Sequence, residues 1–340
     1  MANLFPAQAR VSPSFAEPEI IITYAQPSGA WSLLESGAPR VKLGSEDLYV
    51  YINSIDLRTE TSTSQAAGNF LPSSTLVGSY SSTATYLIRT RSIWDHHDMA
   101  AAGQYGVSLP AAQELAGRQG VYQQMRSMLL YGFNPANNEG LLNAPNATQV
   151  TLPPDTATGA TRLTTYDNGE MTLFLLGEIN TLIAAMFQTG MKNRISICAP
   201  QRVILALQRQ NIIQVTSYQR PGAGTATTAQ AIEQISQEFG NTVEWNVDDT
   251  LINKGAGGTS DMVIITIPEI EEPTMATYNT GAFNSMMPNM KAVNIMYTDM
   301  AAPMKIPTPI PEGITEVLEL RCSSGWNLRG QGLLLISMPY

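Results

Sequence analysis

A chain of 340 residues with 44% hydrophobic side chains can bury a sizeable core, which excludes wholesale disorder and leaves room for about two domains of roughly 150 residues each. Only 14% of the residues are charged, so much of the surface is neutral Ser, Thr, Asn, Gln and Ala, which desolvates cheaply against other subunits. A net charge of −9, with five lysines against fourteen arginines, excludes a surface built to grip nucleic acid through phosphates; arginine also favours forked, interface-type hydrogen bonds.

The two cysteines, Cys198 and Cys322, lie far apart without CxxC spacing and read as buried, reduced thiols. The opening MANLFPAQARVSPSF lacks a basic region followed by an apolar one, so a cytosol-made protein is expected. No run approaches the ~18 apolar residues of a membrane span; LFLLGEINTLIAAMF (173–187) is broken by Glu178 and Asn180.

In chain order, residues 1–45 carry prolines at 6, 13, 18, 27 and 39 between short apolar words such as EIIITY. Such a stretch cannot form its own core and reads as an arm that packs on something else. LYVYINSIDLRTETST (48–63) and TATYLIRTRSIW (83–94) have strand composition, joined by a polar stretch too long for a tight turn. Together they predict a long two-stranded extension, marginal in water unless it lies on a neighbour. Arg58, Arg89 and Arg91 on it are candidates for contacts between subunits, or ordinary surface arginines of a solvated hairpin.

Ser108 and Pro110 open a helix, and Leu115, Val121, Tyr122, Met125, Met128 and Leu129 give it one apolar face to about Tyr131. Gly117 and Gly120 weaken it by ~1 kcal/mol each unless something must approach closely there. Behind it, YGFNPANNEGLLNAP (131–145) is dense in the residues that specify chain reversals. Gly132 is expected to end the helix, Asn134 and Pro135 to fix the turn, and Leu141 and Leu142 to anchor it.

From about 165 to 275 the pattern becomes a sheet flanked by helices. Asp167 and Glu170 form a capping box before a helix to about Gln188; RISIC (194–198) and MVIITI (262–267) are buried strands. Pro200 starts a short helix, a second helix ends at Gly240, and Val243, Trp245 and Val247 alternate as a half-buried strand. Beyond 276, Met286, Met287, Met290, Met296, Met300 and Met304 form either loosely packed core, the reading favoured here, or an adaptable contact surface. EVLELRCSS (316–324) and GLLLISM (332–338) are final strands.

Equipment for catalysis is sparse. The only histidines, His96 and His97, are adjacent, and neighbours on a helix or strand are expected to point in different directions, a poor metal pair. No G-x-S-x-G elbow accompanies them. NKGAGGTSD (253–261) has its lysine before the glycines, where a phosphate loop needs it after them. Asp248 and Asp249 have no third carboxylate at metal-ligand spacing. No enzyme, cofactor site or metal site is expected, which leaves structure or binding as the role.

The element order (arm, β-extension, long helix, α/β region, returning strands) resembles that of tailed-phage major capsid proteins with the Hong Kong 97-type fold. MRSMLLYGFNPANNEGLLNAP (125–145) is similar to the spine-helix end of one capsid family, including the word Gly140, Leu141, Leu142, Asn143, Ala144, Pro145. ISICAPQRVILAL (195–207) and GWNLRGQGLLLISMP extend the resemblance. It implies an α+β fold with an N-arm at 1–45, an E-loop at 46–100 and a spine helix with peripheral domain at 101–148. The axial domain would span 149–300, and 301–340 would return to the periphery.

The implied function is a structural subunit forming hexamers and pentamers, hence an icosahedral virion shell assembled in the host cytoplasm around double-stranded DNA. Partners on this reading are further copies, a separate scaffolding protein, a portal protein and a decoration protein; sequence-specific DNA binding and membranes are not. Some relatives join an E-loop lysine to a neighbour's asparagine, but no lysine occurs between Lys42 and Lys192, so a shell without covalent crosslinks is expected. An encapsulin-like nanocompartment subunit and a soluble α/β enzyme with an unrecognised site are the alternatives.

Overall fold

Strands with apolar residues on both faces end up in the middle of a molecule, and here two such strands do. Ser260–Thr266 (β7, as numbered below) is buried at all seven positions, and Leu333–Pro339 (β13) at six of seven. The structure is a computed structural model that describes residues 28–34, 41–59, 74–104, 108–145, 147–186, 188–209, 227–270 and 293–340. In chain order its strands are β1 (Val41–Lys42), β2 (Tyr49–Thr59), β3 (Ser74–Asp95), β4 (Thr148–Thr151), β5 (Arg194–Ala199), β6 (Thr242–Val247) and β7, followed by β8 (Ile295–Met296), β9 (Thr298–Asp299), β10 (Met304–Ile310), β11 (Gly313–Ser323), β12 (Trp326–Asn327) and β13. The helices are α1 (His96–Gln104), α2 (Leu109–Leu130), α3 (Asn168–Ala185), α4 (Gln201–Arg209) and α5 (Thr228–Glu238).

The central sheet runs β4-β13-β7-β5-β6, with β13–β4 and β5–β6 parallel and the pairs around β7 antiparallel. Its period-two alternation feeds two cores. Ile195, Ile197, Val263, Ile265, Leu334 and Ile336 face the helices α3, α4 and α5. Cys198, Met262, Ile264, Leu333 and Leu335 face a second core built by the end of α2, Leu141 and the short turn Gly29–Leu33. One sheet therefore fastens both halves of the chain together.

Capping explains where the flanking helices begin. Asp167 accepts from the N–H groups of Gly169 (2.8 Å) and Glu170 (3.3 Å). The reciprocal half of the expected capping box is missing, because the Glu170 carboxylate accepts instead from the Thr156 N–H at 3.0 Å. The full box sits at α5, where Thr227 and Gln230 bond each other's backbone.

The second sheet runs β1-β9-β11-β3-β2, with β10 added on β11. β3 is 22 residues long: Thr85 to Asp95 pair with β11, and Ser74 to Ala84 pair with β2 alone. The outer half, Ser74 to Ala84, forms a two-stranded ribbon with β2. The sequence predicts the right kind of extension but the wrong partner: TATYLIRTRSIW (83–94) pairs chiefly with β11, and the stretch just before it supplies the ribbon's second strand. α2 lies across the root of this sheet and buries Val121, Met128, Leu129 and Leu130 against Leu318, Leu320 and Cys322.

Four expectations need correction. Residues 28–34, within the stretch read as an arm that packs elsewhere, are built into this chain: Ala30 and Leu33 are fully buried, and Trp31 packs on Tyr122 and Tyr297. The region 301–340 does not return as a unit, because β10 and β11 join the second sheet while β13 joins the central one. The rings of His96 and His97 do not diverge; their centroids are 3.9 Å apart at the exposed start of α1. Of the late methionines, Met304 is exposed where core was favoured, while Met296 is buried and Met300 packs on the second core as expected; Met286, Met287 and Met290 lie outside the described residues. Residues 1–27 also lie outside them.

Candidate assembly surfaces

The turn behind α2 fixes how the long helix meets the rest of the chain. Gly132 has φ +71°, and a Cβ there would fall 2.6 Å from the Glu139 carbonyl. Gly140 has φ +84°, and a Cβ would fall 2.3 Å from the Tyr131 carbonyl carbon. Only glycine fits such positions without strain. Asn134 caps the short turn Pro135–Asn137, its side chain accepting from the Ala136 N–H at 3.2 Å. Leu141 is fully buried, whereas Leu142 is only partly buried against the same core, so the anchor is chiefly Leu141.

Sequence reasoning passed over the two side chains that organise this turn. The Glu139 carboxylate, 8% exposed, accepts from the Asn134 N–H (2.9 Å), Ser324 Oγ (3.3 Å) and the Tyr86 hydroxyl. Burial and that bond to Glu139 push the Tyr86 phenol up to about 12. Asn143 donates to the carbonyls of Tyr131 (3.0 Å) and Glu139 (3.1 Å). Turn, helix end and β3 are thus one hydrogen-bonded unit. An E-x-x-x-N spacing between turn residues carries no recognisable signal by itself, and only the fold reveals it.

The ribbon presents two unlike faces. Cross-strand partners share a face, and Tyr49, Tyr51 and Tyr80 fall on one side, with Tyr51 opposite Ser82. They are 57%, 63% and 74% exposed. Along β3 this is also the side of Tyr86 and Ile88, where a groove of about 490 Å³ opens beside α2, lined by Tyr86, Ile88, Gly120, Val121, Met128 and Phe133. Gly120 faces this open space, with nothing within 4 Å of its virtual Cβ, while Gly117 lets Thr90 approach to 3.3 Å.

The three arginine positions fall in the other alternation. Arg89 bonds Glu319 across the strands (Nε–Oε2 2.8 Å) and stays 63% exposed at its side chain. Arg91 is exposed opposite Val317 and has no ion pair among the described residues. Register puts Arg58 opposite Thr75 near the far end of the ribbon; its side chain lies outside the described residues. The structure therefore brings Arg89 and Arg91 onto one face at the ribbon's root and leaves Arg58 well apart from them.

Among the described residues no group of three or more His, Cys, Asp or Glu could hold a metal ion, and no helix is long and apolar enough to cross a membrane. Cys198 and Cys322 are free and buried; burial pushes the Cys322 thiol up to about 11 and the Cys198 thiol higher still.

No family model matches the chain, and no curated protein does. Solved structures do. The capsid of Myoviridae phage XM1 superposes with a TM-score of 0.67, covering 97% of this chain and 98% of that one at 11% identity. The capsid of cyanophage P-SCSP1u gives 0.58 over 96% and 93% at 10% identity. A structure from Mycobacterium phage Bobi gives 0.57 over 97% and 96% at 9% identity.

The chain has the Hong Kong 97-type capsid fold. At such identities the likeness is one of fold, carried by element order and sheet topology rather than by shared side chains. Coverage is nearly complete on both sides, so the capsid fold accounts for the whole chain, ribbon and long helix included.

Proposed function

We propose that this chain is the major capsid protein of a tailed double-stranded DNA bacteriophage, assembling as hexamers and pentamers into an icosahedral shell without covalent crosslinks. One observation carries the reading: a fold match to the phage XM1 capsid over 97% of this chain and 98% of that one. On this reading 1–45 is the N-arm, 46–100 the E-loop, 101–148 the spine helix and peripheral domain, and 149–300 the axial domain. Of the last forty residues, β10 and β11 serve the periphery and β13 the axial sheet.

A two-stranded ribbon with three tyrosines on one face has no core of its own and gains stability only when covered. Arg89 and Arg91 on its other face, with Arg58 further out, supply forked donors to a neighbour. The net charge of −9 fits a container that encloses DNA without gripping it. Partners on this reading are a separate scaffolding protein, a portal and a decoration protein, in a virion built in the host cytoplasm.

Negative-stain microscopy of the expressed chain tests the proposal. Capsomers or closed shells are the expected result, and a chain that remains monomeric at every concentration overturns it. Denaturing electrophoresis of particles checks the second half: a single band near 36.8 kDa is expected, and a ladder of covalent multimers would refute the noncovalent shell.

A further inference from the structure

The ribbon is joined to the molecule by a strap, residues 41–48, and the strap is fastened at two points. At one, β1 pairs in parallel with β9, Lys42 beside Asp299, and the Leu43 N–H donates to the Asp299 carbonyl at 2.8 Å. At the other, Arg321 donates to the Ser45 carbonyl (2.7 Å), the Asp47 carbonyl (3.4 Å) and Thr85 Oγ1 (3.2 Å), while Thr85 N–H donates to Leu48 O at 3.0 Å. The second fastening rests on backbone carbonyls, which do not titrate. The first holds a carboxylate.

We propose that Asp299 is a proton-operated latch for this strap: protonated, it lets β1 lie on the sheet; ionised, it favours release of β1 and frees the root of the ribbon. The geometry is that of a buried acid under a two-residue strand. Asp299 is 6% exposed, and no hydrogen bond among the described residues reaches its carboxyl. The groups around it are Lys42 on β1, Cys322 on β11, directly opposite Asp299, and Tyr297 two residues earlier, whose buried hydroxyl lies against the Cys322 thiol. Lys42 is the one opposite charge among them.

The sign follows from burial. Desolvation raises the Asp299 carboxyl from its ordinary 3.8 to about 6, and Lys42 only partly offsets this. A carboxyl raised in the folded state contributes stability that is fully present below its ordinary value and is lost as pH rises through the folded value. The closed strap is thus favoured in acid and weakened towards neutrality. With 3.8 for the released and about 6 for the closed state, the opening constant rises about tenfold between about pH 5 and about pH 7.5.

Hydrogen exchange of the full-length chain, followed by mass spectrometry at those two pH values and corrected for intrinsic rates, reads this directly. Peptides covering 41–48 should exchange about tenfold faster at the higher pH while those from the central sheet do not change. The Asp299→Asn chain, neutral at every pH, should lose the difference. The Lys42→Met chain, which keeps the backbone pairing, should raise the closed-state carboxyl further, so the rise in exchange becomes larger and continues to higher pH than in the parent. A pH-independent strap in the unmodified chain, or an unchanged profile in Asp299→Asn, overturns the latch. The measurement needs no shells, so its outcome is separable from that of the assembly proposal.

Discussion

The central sheet and the ribbon are both built from β-rich sequence, yet they live in opposite environments. β7 and β13 are buried on both faces and hold two cores together, whereas the outer half of β3 has one partner strand and three exposed tyrosines beside it. In the sheet, side-chain burial supplies stability directly, at about 25 cal/mol per Å² of apolar surface. In the ribbon the same kind of surface is left unburied, so its stabilisation is available only to an encounter with another molecule. On the proposed capsid reading, folding and assembly would fall to different strands of one chain.

The sharpest way to break that division is to put a charge into the sheet. Ile264 on β7 is fully buried in the core that joins α2 to the sheet. Ile264→Asp should cost more than ~4 kcal/mol, a large share of the ~5–15 kcal/mol that holds a domain together. Loss of soluble protein, or of a cooperative melt, is the expected outcome; a melt within a few degrees of the parent would show that the two cores are not coupled through β7.

A smaller loss should follow from Gly140→Ala, which tests the corner between helix and sheet. The added methyl meets the Tyr131 carbonyl carbon at 2.3 Å and the φ of +84° disfavours any side chain. About 2–4 kcal/mol of destabilisation is expected in a denaturant melt. Leu142→Asp should cost less than Leu141→Asp, because Leu141 is fully buried and Leu142 is not.

Much of this layout was legible from period and punctuation. MVIITI and RISIC lie where their patterns put them, since burial and alternation are local signals. Of the six-position face read on α2, by contrast, Val121, Met128 and Leu129 are buried and Leu115 is 42% exposed. What stayed hidden depended on distant partners. Nothing in GAWSL announces a turn that Ser28, bonded to Asp248, and Trp31, packed on Tyr297, hold inside the chain. GLLLISM reads as a strand, but its place between β4 and β7 is set by pairings with residues far away in the chain, such as Leu333 with Thr266 and Leu334 with Thr148. Glu139 looked like one polar turn residue among several until Tyr86 and Ser324 arrived beside it from other elements.

Gly120→Ala should move stability the other way. Its virtual Cβ meets nothing, so the substitution gains helix propensity, about 0.5–1 kcal/mol, at no steric cost within the chain. The methyl would, however, project into the groove beside β3. A variant that melts slightly higher yet assembles less well would mark the groove as a surface that another copy covers. Unchanged assembly would leave the groove outside the contact.

Tyr51→Ala has the smallest expected effect on the isolated chain and isolates the ribbon's part of the contrast. Tyr51 is 63% exposed and pairs with Ser82 on the ribbon. Removing its ring gives up little that the free chain has buried, so the melting temperature should stay within about 2 °C of the parent. If the tyrosine face is where a neighbour packs, the same ring is buried only in the assembled state, and its loss falls entirely on association: shell yield drops while the melt does not. An aromatic ring buried at an interface is commonly worth about 2 kcal/mol, or some thirtyfold in each contact's binding constant, and a shell repeats the contact in every subunit. A Tyr51→Phe chain should then assemble nearly as the parent does, because it keeps the ring. Equal loss in both variants would instead place the effect on the hydroxyl, and a shift in the melt would mean that the ribbon contributes to folding after all.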